Sequence, residues 1–282
     1  MSRLAVRKTY KLYIGGAFPR SESGRSYAVT SSKGDFLANA SRASRKDVRD
    51  AVVAARKAFP GWSGATAYNR GQILYRIAEM LEGRRAQFAE ELGGGKKAAL
   101  EAVDATVDRL VWYAGWSDKI ASVHGTANPV AGPYFNLSSP EPTGVVGVVA
   151  PEDPLVGLIS VIAPVIVTGN TCVVIASERT PLPSITLAEV LATSDLPGGV
   201  VNVLTGHQRE LAPWLAAHMD VNGLDLTGVS DADLALTCEQ AAAENLKRVQ
   251  RPSPDEDWRA APALTRMTRF LETKTVWHPM GV

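Results

Sequence analysis

Gly144-Val145-Val146-Gly147-Val148-Val149 opens the part of the chain whose reading decides the fold. This run is apolar without alternation, and similar short runs recur downstream, so strands are predicted over 145–149, 172–175, 200–204, 224–226 and 247–249. A strand with no polar face is buried on both sides, the position it holds in a parallel sheet covered by helices front and back. The intervening segments 155–167, 184–193, 209–218 and 232–244 have helical length and supply the crossovers. Gly169-Asn170 and Pro197-Gly198-Gly199 punctuate the pattern where the chain must reverse. The expected fold class is α/β, with a doubly wound parallel sheet as its core.

Upstream of this core, residues 10–18 and 26–30 cluster β-formers around Gly15-Gly16 and Ser23-Gly24, which predicts short strands with tight turns. Ser44-Arg45-Lys46-Asp47 has the form of a capping box, and Val48, Val52, Ala55 and Phe59 follow at helical spacing until Pro60-Gly61, where the helix is expected to stop. Ile73, Ile77, Met80 and Leu81 mark a second helix; Val103, Val107, Leu110, Trp112 and Trp116 mark a third. Downstream, Arg251-Pro252-Ser253-Pro254-Asp255-Glu256-Asp257 is a proline-broken charged stretch that reads as a linker. Thr273 to Trp277 is β-prone and precedes Pro279, which suits a short terminal strand paired to a sheet edge.

Composition narrows the field. With 45% apolar residues, the 282-residue chain can bury a sizeable core. Its 30 basic residues against 29 acidic ones argue against a nucleic-acid stripe, so no nucleic-acid partner is expected. Cys172 and Cys238 fall inside apolar strand and helix patterns and read as core thiols, while His124, His207, His218 and His278 offer no metal-ligand spacing, so no metal is expected. The start carries Arg3, Arg7, Lys8 and Lys11 without an apolar segment or cleavage site. The longest apolar stretch, 155–167, falls short of the roughly 20 residues of a membrane span. Neither a secretory signal nor a membrane partner is expected, and a cytoplasmic location is the simplest reading.

Several segments together resemble the aldehyde dehydrogenase superfamily. They are Leu12-Tyr13-Ile14-Gly15-Gly16, the run from Ala54 to Trp62, Glu141-Pro142-Thr143-Gly144-Val145-Val146-Gly147, Ala163-Pro164 with Gly169-Asn170-Thr171, and the run from Pro197 to Gly206. Lys274-Thr275-Val276-Trp277-His278-Pro279 resembles the extreme carboxyl terminus of that family. The resemblance implies a Rossmann-like core with N-terminal helices and a small β oligomerisation element. It also implies that the catalytic domain, which the family carries between the last core strand and that terminus, is absent, as in the cysteine-less second module of two-module members. The divisions expected are 1–131 for the N-terminal strands and helices, 132–143 for a β-flap, 144–250 for the Rossmann-like core, 251–264 for a linker replacing the catalytic domain, and 265–282 for the oligomerisation strand.

Residue by residue, the family's chemistry is missing. Its oxyanion asparagine, in a Pro-Trp-Asn segment, aligns with Pro151-Glu152-Asp153, and an ionised Asp153 would repel a developing oxyanion. The segment of the base glutamate reads Gln250-Arg251-Pro252. Neither Cys172 nor Cys238 has the family's nucleophile context, so no catalytic residue is expected. Of the Lys-Pro-x-Glu ribose clamp, Ile175-Ala176-Ser177-Glu178 retains Glu178, loses the lysine, and carries Ala176 at the proline. The pyrophosphate loop becomes Leu226-Thr227-Gly228-Val229-Ser230-Asp231-Ala232-Asp233, with Asp233 at the second glycine. One carboxylate about 4 Å from a phosphate, at an effective dielectric near 20, costs roughly 4 kcal/mol; alternatively, these aspartates are ordinary helix caps. A degenerate cofactor site would comprise Glu178, Gly206, Gly228 and Ser230.

The resemblance therefore implies a non-catalytic subunit that assembles with a full-length NAD(P)-dependent aldehyde dehydrogenase. Assembly would use Tyr134, Phe135 and Leu137 of the flap and Thr273, Thr275, Val276 and Trp277 of the terminal strand. No cofactor is expected in this chain, NAD or NADP belonging to the partner, and self-association stays open. A ligand-binding regulator that keeps part of the NAD(P) or nucleotide crevice is the alternative, followed by an aldehyde dehydrogenase with relocated catalytic groups.

Overall fold

Elements follow the apolar pattern closely in the computed structural model, which describes residues 8–253 and 255–281. Met1, Arg3 and Arg7 of the basic start, and Pro254 of the charged stretch, lie outside the described residues. The amino end folds as β1 (Thr9–Tyr10), β2 (Ser26–Thr30) and β3 (Phe36–Ser41), followed by α1 (Arg45–Gly64), α2 (Ala67–Glu82), α3 (Arg85–Leu92), α4 (Lys96–Trp116) and α5 (Ile120–His124). An antiparallel pair, β4 (Thr126–Asn128) and β5 (Tyr134–Pro142), leads into the core. There β6 (Val145–Val149), α6 (Val156–Val167), β7 (Thr171–Ile175), α7 (Leu182–Ala192), β8 (Val201–Leu204), α8 (Gln208–Ala217), β9 (Gly223–Asp225), α9 (Ala232–Ala243) and β10 (Arg248–Gln250) alternate. The short α10 (Thr265–Thr268) and β11 (Leu271–Pro279) close the order.

Capping and burial explain α1. Ser44 Oγ accepts from the amides of Lys46 and Asp47, and Asp47 Oδ2 accepts the Ser44 amide at 2.8 Å, a reciprocal box that satisfies donors the first turn leaves open. Val48, Val52 and Ala55 bury one stripe. The helix does not stop at Pro60, as its sequence predicts, but runs to Gly64. Pro60 removes one backbone donor, yet the last turn carries Trp62 into the core, where its Nε1 donates to the Ile166 carbonyl at 2.8 Å. Tertiary anchoring outweighs the local break.

The central sheet is wholly parallel in the order β10-β9-β6-β7-β8. Period-2 alternation divides its side chains between two layers. Val145, Val149, Val173, Ile175 and Leu224 pack with α1, α8 and α9, whereas Val146, Val148, Cys172, Val174 and Val203 pack with α2, α4, α6 and α7. β6, β7, β8 and β9 are buried throughout, whereas the edge strand β10, Arg248-Val249-Gln250, is partly exposed, and α6 is buried along its whole length. Tyr13 adds an antiparallel bridge to Val203 on the outer edge of β8, exchanging backbone bonds of 2.9 and 2.7 Å. Gly15 and Gly16 make the turn that returns the chain, both at positive φ, and Gly198 packs against Gly16 so closely that a Cβ there would have no room.

Candidate functional site

Strand order reverses at β6. The chain moves outward from β6 through β7 to β8, then returns to lay β9 and β10 on the other side. Loops leaving the carboxyl ends of β6 and β9 therefore diverge, and a crevice opens between them, the usual ligand position in an open parallel sheet. Here it is a cavity of about 240 Å³ lined by Pro151, Glu152, Asp153, Thr227 to Ser230, Ser253, Glu256 and Trp258. The two loops are pressed together at its floor: Gly228 donates its amide to Val149 O at 3.1 Å, and a Cβ on Gly228 would sit 2.0 Å from Ala150 O. Only glycine fits there.

Helix N-termini at this edge of the sheet are engaged by the chain's own carboxylates. Asp153 Oδ1 accepts the amides of Leu155 at 3.1 Å and Gly157 at 2.8 Å, closing the start of α6. Asp231 Oδ1 accepts those of Asp233 at 3.1 Å and Leu234 at 3.3 Å, capping α9, and its carboxylate also pairs with Arg209. Glu178 accepts the Gln208 amide at the start of α8 and stands 3.6 Å from His207 Nδ1. Each such amide would otherwise attract an anion. Ser177 Oγ links the clusters by donating to Glu152 Oε2 at 3.0 Å.

The cavity thus gathers Glu152, Asp153, Gly228 and Ser230, with Asp233 exposed on the first turn of α9 just beyond. Glu178 and Gly206 belong to a neighbouring cluster around His207, where the Tyr27 ring packs 5.7 Å from the imidazole and burial pushes its phenol pKa up. Gly206 holds φ +150 where a Cβ would meet the Ala43 amide at 3.2 Å. Ala176 is buried and donates to Leu204 O, continuing the sheet ladder. Cys172 and Cys238 are both buried; burial pushes the Cys172 thiol well up and the Cys238 thiol to about 11, so neither is a ready thiolate.

Of the described residues within 251–264, Ser253, Glu256 and Trp258 line the crevice. Arg109 Nη2 donates to Trp258 O at 2.7 Å and Ala260 O at 2.9 Å, and Trp258 lies against Gly157 at the start of α6. Ser253 donates its amide to Thr227 O at 3.4 Å. Arg266, at the end of this strap, pairs with Glu256, lies 3.8 Å from Asp225 Oδ2, and stacks over Trp258. Burial raises the Asp225 carboxyl above its usual range against the bonds donated by Thr227. Sequence reasoning missed Arg109, Asp225, Glu256, Trp258 and Arg266. The available signal was Asp225 itself, a carboxylate between Leu224 and Leu226 in a strand predicted to be buried, which requires a cation nearby.

On the far side of the molecule, β11 lies antiparallel along all of β5, from Leu271 opposite Pro142 to Pro279 opposite Tyr134, in a three-stranded sheet ordered β11-β5-β4. The residues expected to serve assembly come together here. Val276 faces Leu137, Thr275 Oγ1 and Ser138 Oγ are 2.8 Å apart, and Tyr134 meets Trp277 edge-on at 5.8 Å. Thr273 pairs with Pro140, and Phe135 with His278. Trp277 remains 56% exposed and Phe135 49%, large apolar side chains left uncovered on this sheet. β11 is an edge strand, with β5 as its one partner among the described residues.

Comparison with known proteins places this architecture. Residues 18–251 match the aldehyde dehydrogenase family model. The chain is 35% identical over 252 residues to retinal dehydrogenase 2 of Mus musculus, covering 86% of this chain and 48% of that protein. It is 34% identical over 249 residues to human aldehyde dehydrogenase 1A1, covering 85% and 49%. It superposes with the NAD+ complex of an aldehyde dehydrogenase from Bacillus cereus at a TM-score of 0.81 and 30% identity, covering 86% of this chain and 50% of that one. The chain spans about half the length of these relatives. With its doubly wound sheet, its reversal-point crevice and this match over most of its length, the chain belongs to the aldehyde dehydrogenase family.

Proposed function

We propose that this chain is a non-catalytic aldehyde dehydrogenase-like subunit that assembles with a full-length NAD(P)-dependent aldehyde dehydrogenase. The observation that carries the reading is the β11–β5 sheet: nine register pairs position an edge strand whose outer side has no strand partner among the described residues, beside exposed Trp277, Phe135 and Tyr134. An edge of this kind is a template for a strand of another chain.

The crevice supports the non-catalytic half of the reading. A dinucleotide pyrophosphate bound there would meet Glu152, Asp153 and Glu256 on the cavity wall, with no basic side chain among the lining residues, and would have to displace Asp231 from the α9 amides. The residues present do not fit that group. Glu178 already spends its carboxylate on the Gln208 amide, so the retained half of the ribose clamp gives the regulator alternative little support.

Co-expression with the full-length aldehyde dehydrogenase encoded nearest to it, followed by affinity capture on a tag at Met1 and mass measurement, tests the proposal. The expected outcome is a stoichiometric complex with NAD-dependent turnover. Val276→Asp should abolish it by placing a charge in the strand pair with Leu137. A complex that survives Val276→Asp, or no complex with the unaltered chain, overturns the reading.

A further inference from the structure

A second surface, remote in function from both crevice and flap, lies between the start of α1 and α8. Three adjoining hollows, the largest about 460 Å³, share Arg45 and the rim around it. Six basic side chains line them, Arg25, Arg42, Arg45, Lys46, Arg49 and Arg209, against two acidic ones, Glu22 and Glu210. Asp50 and Asp231 reach in from outside the lining to pair with two of the basic side chains, so the groove keeps an excess of two cations in a chain whose totals nearly cancel. Arg42 is matched by Glu210, Lys46 by Glu22, Arg49 by Asp50 and Arg209 by Asp231. Arg25 and Arg45 have no carboxylate within ion-pair distance among the described residues.

The floor of the groove is apolar. Trp214 is 44% exposed and Met219 63%, beside Leu211, Pro213 and Val48. The Arg45 guanidinium stacks on the Trp214 ring at 3.9 Å, which orders both side chains and takes up one ring face. A nucleobase would need that face, whereas an aliphatic or aromatic side chain from a polypeptide can pack at the ring edge and on Met219. Apolar centre and arginine rim together are the composition of a protein-docking surface, with aromatic and arginine side chains as its anchors.

We infer that this groove binds an acidic polypeptide segment of a partner protein, with carboxylates on Arg25 and Arg45 and one apolar side chain seated against Trp214 and Met219. The recognition is separate from assembly through β11, because no residue is shared between the two surfaces.

Fluorescence anisotropy with the intact chain and a labelled peptide of about ten Asp and Glu residues around a central Phe-Leu pair tests this. A micromolar Kd is expected, weakened about tenfold by Trp214→Ala and by Arg25→Gln with Arg45→Gln, and weakened again as salt rises from about 50 to about 300 mM. Replacing Phe-Leu by Ser-Ser should cost a similar factor. Both protein variants are at exposed positions, and thermal melting verifies that they fold; Met219→Ser provides a second apolar test should Trp214→Ala fail to fold. Val276→Asp should leave peptide binding unchanged, so failure here and failure of the assembly reading are distinguishable. No binding at about 100 μM, binding indifferent to Trp214→Ala and Met219→Ser, or equal binding by ATP or a single-stranded oligonucleotide would overturn the inference.

Discussion

Glu91 accepts from Thr186 Oγ1 at 2.8 Å, Tyr10 OH at 3.2 Å and Gln87 Nε2 at 3.3 Å, yet burial still holds its carboxyl above the usual range. A raised folded-state value means that the folded chain binds this proton more tightly than the unfolded one. The associated stability is fully present below the ordinary value of 4.5 and is lost as pH rises through the folded value. Relative to the wild type, Glu91→Gln should therefore gain as pH rises from about 4 to about 7, seen as a shift between their urea midpoints. A midpoint difference that does not change with pH contradicts the assignment. At this scale the sequence is a poor guide to charge: Glu91 and Asp104 are both acidic helix or helix-flank residues in pattern, but only packing separates a carboxyl raised by burial from one held down by the Arg85 guanidinium.

Among elements, the strap over 251–264 separates what a chain pattern can convey from what it cannot. Strands and crossovers are legible to within a residue or two, because burial on both faces leaves short unbroken apolar runs separated by segments of helical length. The strap has no period, and its proline and charge content describe a linker equally well; its placement depends on Arg109, almost 150 residues away, donating to two of its carbonyls. Charge-assisted bonds of this kind contribute about 1.5 to 3 kcal/mol each. Arg109→Met should loosen the strap without unfolding the sheet, accelerating cleavage within 251–264 by a broad-specificity protease about tenfold or more, as read by mass spectrometry of the fragments. Equal cleavage of both proteins would mean that the strap is held by other contacts. Likewise, the overrun of α1 past Pro60 required the Trp62 contact with Ile166, which no local rule contains.

For the whole molecule, this chain superposes with about half of the Bacillus cereus relative, and the crevice at the reversal point of its sheet is lined by its own carboxylates Glu152, Asp153 and Glu256. The sequence displayed Asp231 and Asp233 at the pyrophosphate loop but left two readings, repulsion of ligand or simple capping. Asp231 caps α9 through the amides of Asp233 and Leu234, so under the function proposed above a phosphate would have to displace it. Thermal melting with NAD or NADP at about 1 mM is accordingly expected to leave the midpoint unchanged. An upward shift of several degrees would restore the crevice as a working cofactor site. The flap carries a further consequence, in time instead of space. During synthesis β5 leaves the ribosome long before β11, which pairs with it through Leu271 and Pro142. At ordinary elongation rates that interval is on the order of 10 s. Throughout it Tyr134, Phe135 and Leu137 belong to a strand with one long edge open, so pairing with the last strand of a neighbouring nascent chain would compete with pairing within the same chain.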